Sequence, residues 1–231
     1  MPAFAVTFPD GRTASAVRLQ NEEDVPSAAR ELGLEDGTSC LVLVGGADQM
    51  SDDEIARANE VVRHAVVPTA ERLGAVVIDG GTDSGVMALM GRARAAARAS
   101  FPLVGVVVER LAALPGQNAP EGAAPLEPNH THFVLVPGSA WGDEAGALSQ
   151  LAAAVAPRRS ATILLNGGEL SRRDVSMSID QGRSVVAVAG TGRLADALAG
   201  DAATPRLIRA VDAGDLDTVC ALIDNLLTVD P

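Results

Sequence analysis

VVIDGGTDSGVMALMG, residues 76–91, passes from an apolar run through a glycine turn into a helical period. Val76 to Ile78 are too uniformly apolar for a half-exposed strand, so the run reads as a strand buried on both faces. Beyond Gly85, the residues Val86, Leu89, Met90, Ala93 and Ala97 fall on one helical face, leaving Arg92, Arg94 and Arg98 elsewhere on the helix. A buried strand feeding directly into a helix is the repeating unit of an open parallel α/β sheet.

Working outward, the same rhythm recurs. Apolar runs occur at LVLV (41–44), LVGVVV (103–108), HFVLV (132–136), TILL (162–165) and SVVAVA (184–189). With residues 75–78 they predict about six core strands in a Rossmann-like sheet with helices on both faces. Ahead of them, FAVTF (4–8) and TASAVRL (13–19) flank Pro9-Asp10-Gly11, which predicts an opening β-hairpin. A short helix over 24–32 follows, ending at Gly33. Between the first two core strands, Ile55, Ala58, Val62, Ala65, Val66, Thr69 and Leu73 form an apolar stripe that Pro68 should kink or split. Residues 110–129 are rich in Pro and Gly, and a loop of that length often covers a binding site. Residues 206–228 read as one closing helix or two short ones. The organisation expected is a single domain over 1–231: hairpin and helix over 1–39, α/β core over 40–200 and helical closure over 201–231.

Composition narrows the function. The net charge of −12 repels polyphosphate chains and anionic membrane surfaces, and 2% aromatic residues, with no Tyr and the lone Trp141, cannot build a stacking platform. Nucleic acid and membrane are therefore excluded as main partners. A small anion remains acceptable, because loop amides and helix amino ends supply a local positive field. No apolar run approaches the roughly 18 residues that span a bilayer, and the start lacks a basic-then-apolar leader, so a cytoplasmic protein is expected. Cys40 and Cys220 match no metal or redox spacing and read as reduced core thiols. His64 reads as a helix-surface residue. His130 and His132 flank a strand start with no third ligand nearby, which suits ordering of the preceding loop better than metal binding.

Four strand ends carry small, glycine-containing turns: Gly45-Gly46-Ala47, Gly80-Gly81-Thr82-Asp83-Ser84-Gly85, Gly167-Gly168-Glu169 and Gly190-Thr191-Gly192-Arg193. Any one would serve as an ordinary turn, but strand carboxyl ends in an open parallel sheet converge on the ligand crevice. In the second turn, backbone amides from Gly81 to Val86 suit a phosphate, with Thr82 and Ser84 as hydroxyl donors. The turn is neither G-x-G-x-x-G nor a P-loop, which favours a mononucleotide or ADP-ribose-like ligand over triphosphate hydrolysis. Asp79 and Asp83 suit ribose hydroxyls, or Asp83 caps the helix. Arg193 suits a phosphate clamp or a helix surface. PGSAWGDEAGAL (137–148) contributes Gly138, and its Asp143 and Glu144 offer a carboxylate for base catalysis or for stabilising charge at a ribose C1′, although favourable helix-dipole placement is the weightier explanation of them.

The segments LVLVGGADQ (41–49), VVIDGGTDSGVMALMG (76–91), LEPNHTHFVLV (126–136), LLNGGE (164–169) and VVAVAGTGRLADALA (185–199) together resemble the SLOG superfamily. The likeness is to its bacterial branch, akin to the amino-terminal domain of melastatin-type TRP channels. It implies a Rossmann-like fold that senses a nucleotide-derived ligand, with ADP-ribose contacts at Thr82 to Gly85 and Arg193. More distantly the chain is similar to cytokinin-activating phosphoribohydrolases, which cleave an N-glycosidic bond. Their P-G-G-x-G-T-x-x-E motif corresponds to Pro137–Glu144, where the G-T pair is missing. That departure weights the expectation towards a binding module that uses no certain cofactor, with the phosphoribohydrolase as the alternative. Self-association stays open, and a sensor would act on an effector protein in trans.

Overall fold

The computed structural model describes residues 1–34, 39–47, 49–201 and 205–228. Strand β3 (Cys40–Gly45) lies inside a nine-stranded sheet. On one side follow β4 (Val76–Asp79), β5 (Leu103–Val108) and β8 (His132–Val136); on the other, β9 (Ser160–Leu165), β10 (Ser184–Ala189) and β11 (Ile208–Asp212). All these neighbours pair in parallel. The chain thus builds outward from β3 in one direction and returns to its other flank at β9, so the strand order reverses between β3 and β9. The carboxyl ends of such a switch point splay apart and leave a crevice.

Burial on both faces explains the uniform apolar runs. In β3, Cys40, Val42 and Val44 belong to one core cluster, and Leu41 and Leu43 to the other. The first core is closed by α1 (Val25–Glu31), α5 (Ala145–Val155), α6 (Glu169–Asp180) and α7 (Arg193–Gly200). The second is closed by α2 (Asp52–Val61), α3 (Val67–Leu73), α4 (Gly85–Ala97) and α8 (Leu216–Thr228). Helix α2 starts at a reciprocal cap between Ser51 and Glu54. Pro68 splits the long stripe as expected: a π-helical turn over Val62–Val66 separates α2 from α3, and Pro68 sits in the first turn of α3, where a missing amide costs little.

The hairpin, β1 (Phe4–Thr7) with β2 (Thr13–Arg18), extends the main sheet, because β2 pairs in parallel with β8. The carboxyl-terminal reading needs correction. Residues 208–212 form the edge strand β11, with Ile208 and Val211 turned inward and Arg209 and Ala210 exposed. Helix α8 begins only after Asp212 and Asp215 have accepted the amides of Gly214 and Thr218. The long 110–129 stretch carries two minimal strands, β6 (Ala112–Ala113) and β7 (Ala124–Pro125), paired with each other. Cys40 is a free core thiol that burial pushes up to about 12, and Cys220 is free and half-buried. No helix among the described residues is long and apolar enough to cross a membrane.

Candidate functional site

At the strand carboxyl ends a cavity of about 340 Å³ opens between the turns after β3 and β4 and the amino-terminal parts of α5 and α6. Gly45, Ala47, Gly80, Thr82 and Ser84, all marked in the sequence, line it together with Glu144. Gly122, Ala123 and Ala124 form part of the wall, so the Pro/Gly-rich stretch does border this space. The apolar lining comes from Leu43, Val44, Met87, Leu148, Trp141 and Leu170.

Residues of the second turn reach the cavity, but its amides serve the fold. Gly81 N–H donates to the Asp79 carboxylate, Asp83 N–H to the Pro125 carbonyl, Ser84 N–H to the Thr82 carbonyl and Val86 N–H to the Gly46 carbonyl. The phosphate nest expected from Gly81 to Val86 is therefore largely spent on internal bonds, leaving side chains and the Gly80 edge facing the cavity. Gly81 has φ +68°, and a Cβ there would lie 2.7 Å from the Gly105 Cα. The residue is glycine because the turn after β4 packs directly onto strand β5 there, with the Phe133 ring beside it. Gly85, at φ +47°, is similar: a Cβ would run into the Gly46 carbonyl oxygen and come within 2.6 Å of the Ala47 Cα. The Ser84 hydroxyl ties the same two turns by donating to the Ala47 carbonyl at 2.9 Å.

Asp79 is closed off from the cavity, whereas Asp83 stays partly exposed. Asp79 is fully buried and accepts from Gly81 N–H at 2.7 Å and from His130 Nε2 at 2.8 Å, so no ribose reaches it. Asp83 pairs with Arg92 at 2.9 Å, while Ser84 occupies the cap position of α4. His130, expected to order the preceding loop by hydrogen bonding, ties that loop to β4. Its other nitrogen lies 2.9 Å from Glu127, and its ring stacks on Phe133. Burial pulls this imidazole down, but the Asp79 and Glu127 carboxylates more than offset it and hold it up at about 9. This ionic trio staples the 126–131 segment to the end of β4.

The turns after β9 and β10 form a second cluster outside the cavity lining. Its centre is Asn166, fully buried in the left-handed region at φ +61°. Asn166 donates from Nδ2 to the Thr191 carbonyl and accepts from Gly167 N–H, each at 2.8 Å. Thr191 is equally buried; its hydroxyl donates to the Val188 carbonyl and accepts from the Asn166 amide. Gly46 and Gly192 pack against the Asn166 side chain too closely for a Cβ at either position. Gly190 donates to Asp196 and accepts from Arg57. Glu169 is exposed beside Arg172. Arg193 is exposed; its guanidinium lies against Gly168 and close enough to Glu54 to help hold that carboxyl down, behind the Ser51 bonds. Gly190–Arg193 thus do not line the cavity, although Gly192 connects to the Gly80–Gly85 turn through Asn166 and Gly46.

The loop after β8 supplies the acidic part of the site. Asp143 accepts the amides of Ser139 and Ala140 and is held low by them; Gly138 is glycine because the Asp143 side chain closes over it. Glu144 accepts Gly142 N–H at 2.8 Å and is pushed up mainly by burial. On the same lining, Asp174 of α6 is pushed up to about 7 by burial and then by Glu144, with Arg173 opposing. Sequence reasoning missed Asp174, which lies in the middle of a helix with no motif around it.

The class that this architecture defines is a Rossmann-like α/β protein with a cavity at its topological switch point. The family described as SLOG in TRPM, prokaryote, matches residues 38–225, and the chain belongs to it. No curated protein matches the sequence. Among solved structures, the fold is similar to the structural-genomics protein TM1055, at TM-score 0.57 and 17% identity over 81% of this chain and 99% of that one. It is also similar to the molybdenum cofactor carrier protein MCP from Chlamydomonas reinhardtii, at TM-score 0.53 and 17% identity over 83% of this chain and 99% of that one.

Proposed function

We propose that this protein binds a nucleotide-derived small ligand, ADP-ribose- or NAD-related or a nucleoside monophosphate, in the cavity between β3, β4, α5 and α6. The observation that carries the reading is the convergence of three turns and two helices on one largely apolar space with few polar groups, the usual make-up of a small-molecule site. Membership of the SLOG family supports a nucleotide-related ligand. A volume of about 340 Å³ lies near the lower end of such sites, roughly 300–1,000 Å³, and suits a mononucleotide better than a dinucleotide. As a sensor, the chain would hand its signal to an effector protein in trans.

Isothermal titration with AMP, ADP-ribose and NAD tests the proposal. One-site binding is expected for AMP at least, and Ala123→Trp, which fills the cavity from its loop wall, abolishes it. No heat with any of the three, or unchanged binding by the filled variant, would remove the reading.

A second reading rests on the raised carboxyls of Glu144 and Asp174. A neutral carboxylic acid and a carboxylate on one cavity wall are the equipment for cleaving an N-glycosidic bond. Water would replace the base at the ribose C1′, with a carboxyl proton passing to the departing base. Adenine released from AMP and lost in Glu144→Gln would establish it; AMP recovered intact after prolonged incubation would dismiss it.

A further inference from the structure

We infer that the cavity receives the base end of its ligand, as an amino-bearing heterocycle set against Glu144 and Asp174 beside Trp141, with any phosphate turned outward to Arg173. The inference rests on the nucleotide reading above and deepens it. Its first support is the charge of the lining: it holds two carboxyls and no Arg or Lys. Its second is the amino end of α5, ordinarily a good place for a phosphate. Here Asp143 already takes the Ser139 and Ala140 amides and Glu144 takes the Gly142 amide, so the protein's own carboxyls occupy the anion position.

What the cavity offers instead is hydrogen-bond acceptance and a flat apolar wall. No donor among the described residues bonds the Asp174 carboxyl, although it is half-buried against Glu144. Burial raises the Asp174 carboxyl to about 7, so at neutral pH it carries the proton part of the time and can then offer both a donor and an acceptor. That complements a heterocycle edge carrying an amino group beside a ring nitrogen. Trp141, which keeps 37% of its surface exposed at the mouth, supplies an aromatic face for the ring. The positive charge missing from the interior is found at the rim. Arg173 follows Arg172 on the exposed face of α6, and its Nη1 lies 3.6 Å from where a Gly142 Cβ would be.

Trp141 is the protein's one tryptophan, so its fluorescence reports on the site directly. Titrations, checked by calorimetry, would compare AMP, purine riboside 5′-monophosphate, which lacks the amino group, and ribose 5-phosphate. AMP is expected to bind at least tenfold more tightly than the deamino analogue, because a site built to bond an amino group leaves its own acceptors unpaired without it. Ribose 5-phosphate should fail to displace AMP at equal concentration. Asp174→Asn, which keeps a donor and an acceptor, should preserve the discrimination, and Asp174→Leu should reduce it to less than threefold. Equal binding of AMP and its deamino analogue, or effective competition by ribose 5-phosphate, would overturn the inference while leaving nucleotide binding intact. No binding of any nucleotide would remove both.

Discussion

Gly85→Ala is expected to be the most damaging small substitution in the protein, lowering stability by about 3 kcal/mol from overpacking and backbone strain together. The methyl group would run into the Gly46 carbonyl oxygen, which also accepts the Val86 amide at 3.0 Å. Relieving the collision pushes the turns after β3 and β4 apart and breaks that bond. Gly182→Ala provides the control. Gly182 also has a left-handed φ, +71°, but no atom lies within 4 Å of its would-be Cβ, so only backbone strain remains, about 1 kcal/mol. In thermal unfolding the Gly85 variant should melt about 10 °C below the parent, with the Gly182 variant much nearer the parent. Equal losses would mean that the contact between the turns carries no weight.

The second large effect belongs to His130. Replacing it by Ala leaves Asp79 and Glu127 buried and facing each other without the cation between them, and breaking a buried ion pair in this way costs about 4 kcal/mol. The pH dependence has a definite sign. Because folding raises His130 from its ordinary 6.5 to about 9, its contribution is fully present below about 6.5 and fades as pH rises through 9. Urea midpoints of the parent should fall between pH 7 and 9.5, while those of His130→Ala should stay comparatively flat over the same interval. Parallel curves would show that the imidazole is already neutral in the folded protein.

Much of the architecture was legible because its signals are local. Uniformly apolar runs marked each central strand, four of them ending in glycine turns, and Pro68 marked the helix break. Strand β11 was hidden because an edge strand with Arg209 and Ala210 facing outward has no uniform apolar run, and Leu207, Ile208 and Val211 also fit a helical stripe. The site was legible only in part. Glycines at strand ends located the crevice, yet sequence cannot say whether a glycine faces a ligand or the protein itself, and Gly81 proves to face strand β5 and Gly85 the turn after β3. Asn166 and Thr191 resemble ordinary turn residues until the 25-residue gap between them closes. His130 and Asp79 lie 51 positions apart, and Asp174 and Glu144 meet only because α5 and α6 pack side by side. Pairing across such distances leaves no trace in a single sequence.

Arg193 shows the same limit from the other direction. Its position after a glycine turn suggested a phosphate clamp, but its guanidinium lies against Gly168 and near Glu54, and Arg193 is not among the residues that line the cavity. A ligand centred on Gly190–Arg193 and one centred on Gly80–Ser84 with Trp141 are therefore different hypotheses.

A crystal structure of the protein grown with AMP separates them and tests the central claim most directly. Density for the nucleotide is expected inside the cavity, bounded by Thr82, Ala123 and Trp141, with the base against Glu144 and Asp174. Density lying over Gly190–Arg193 with the cavity empty would contradict the account.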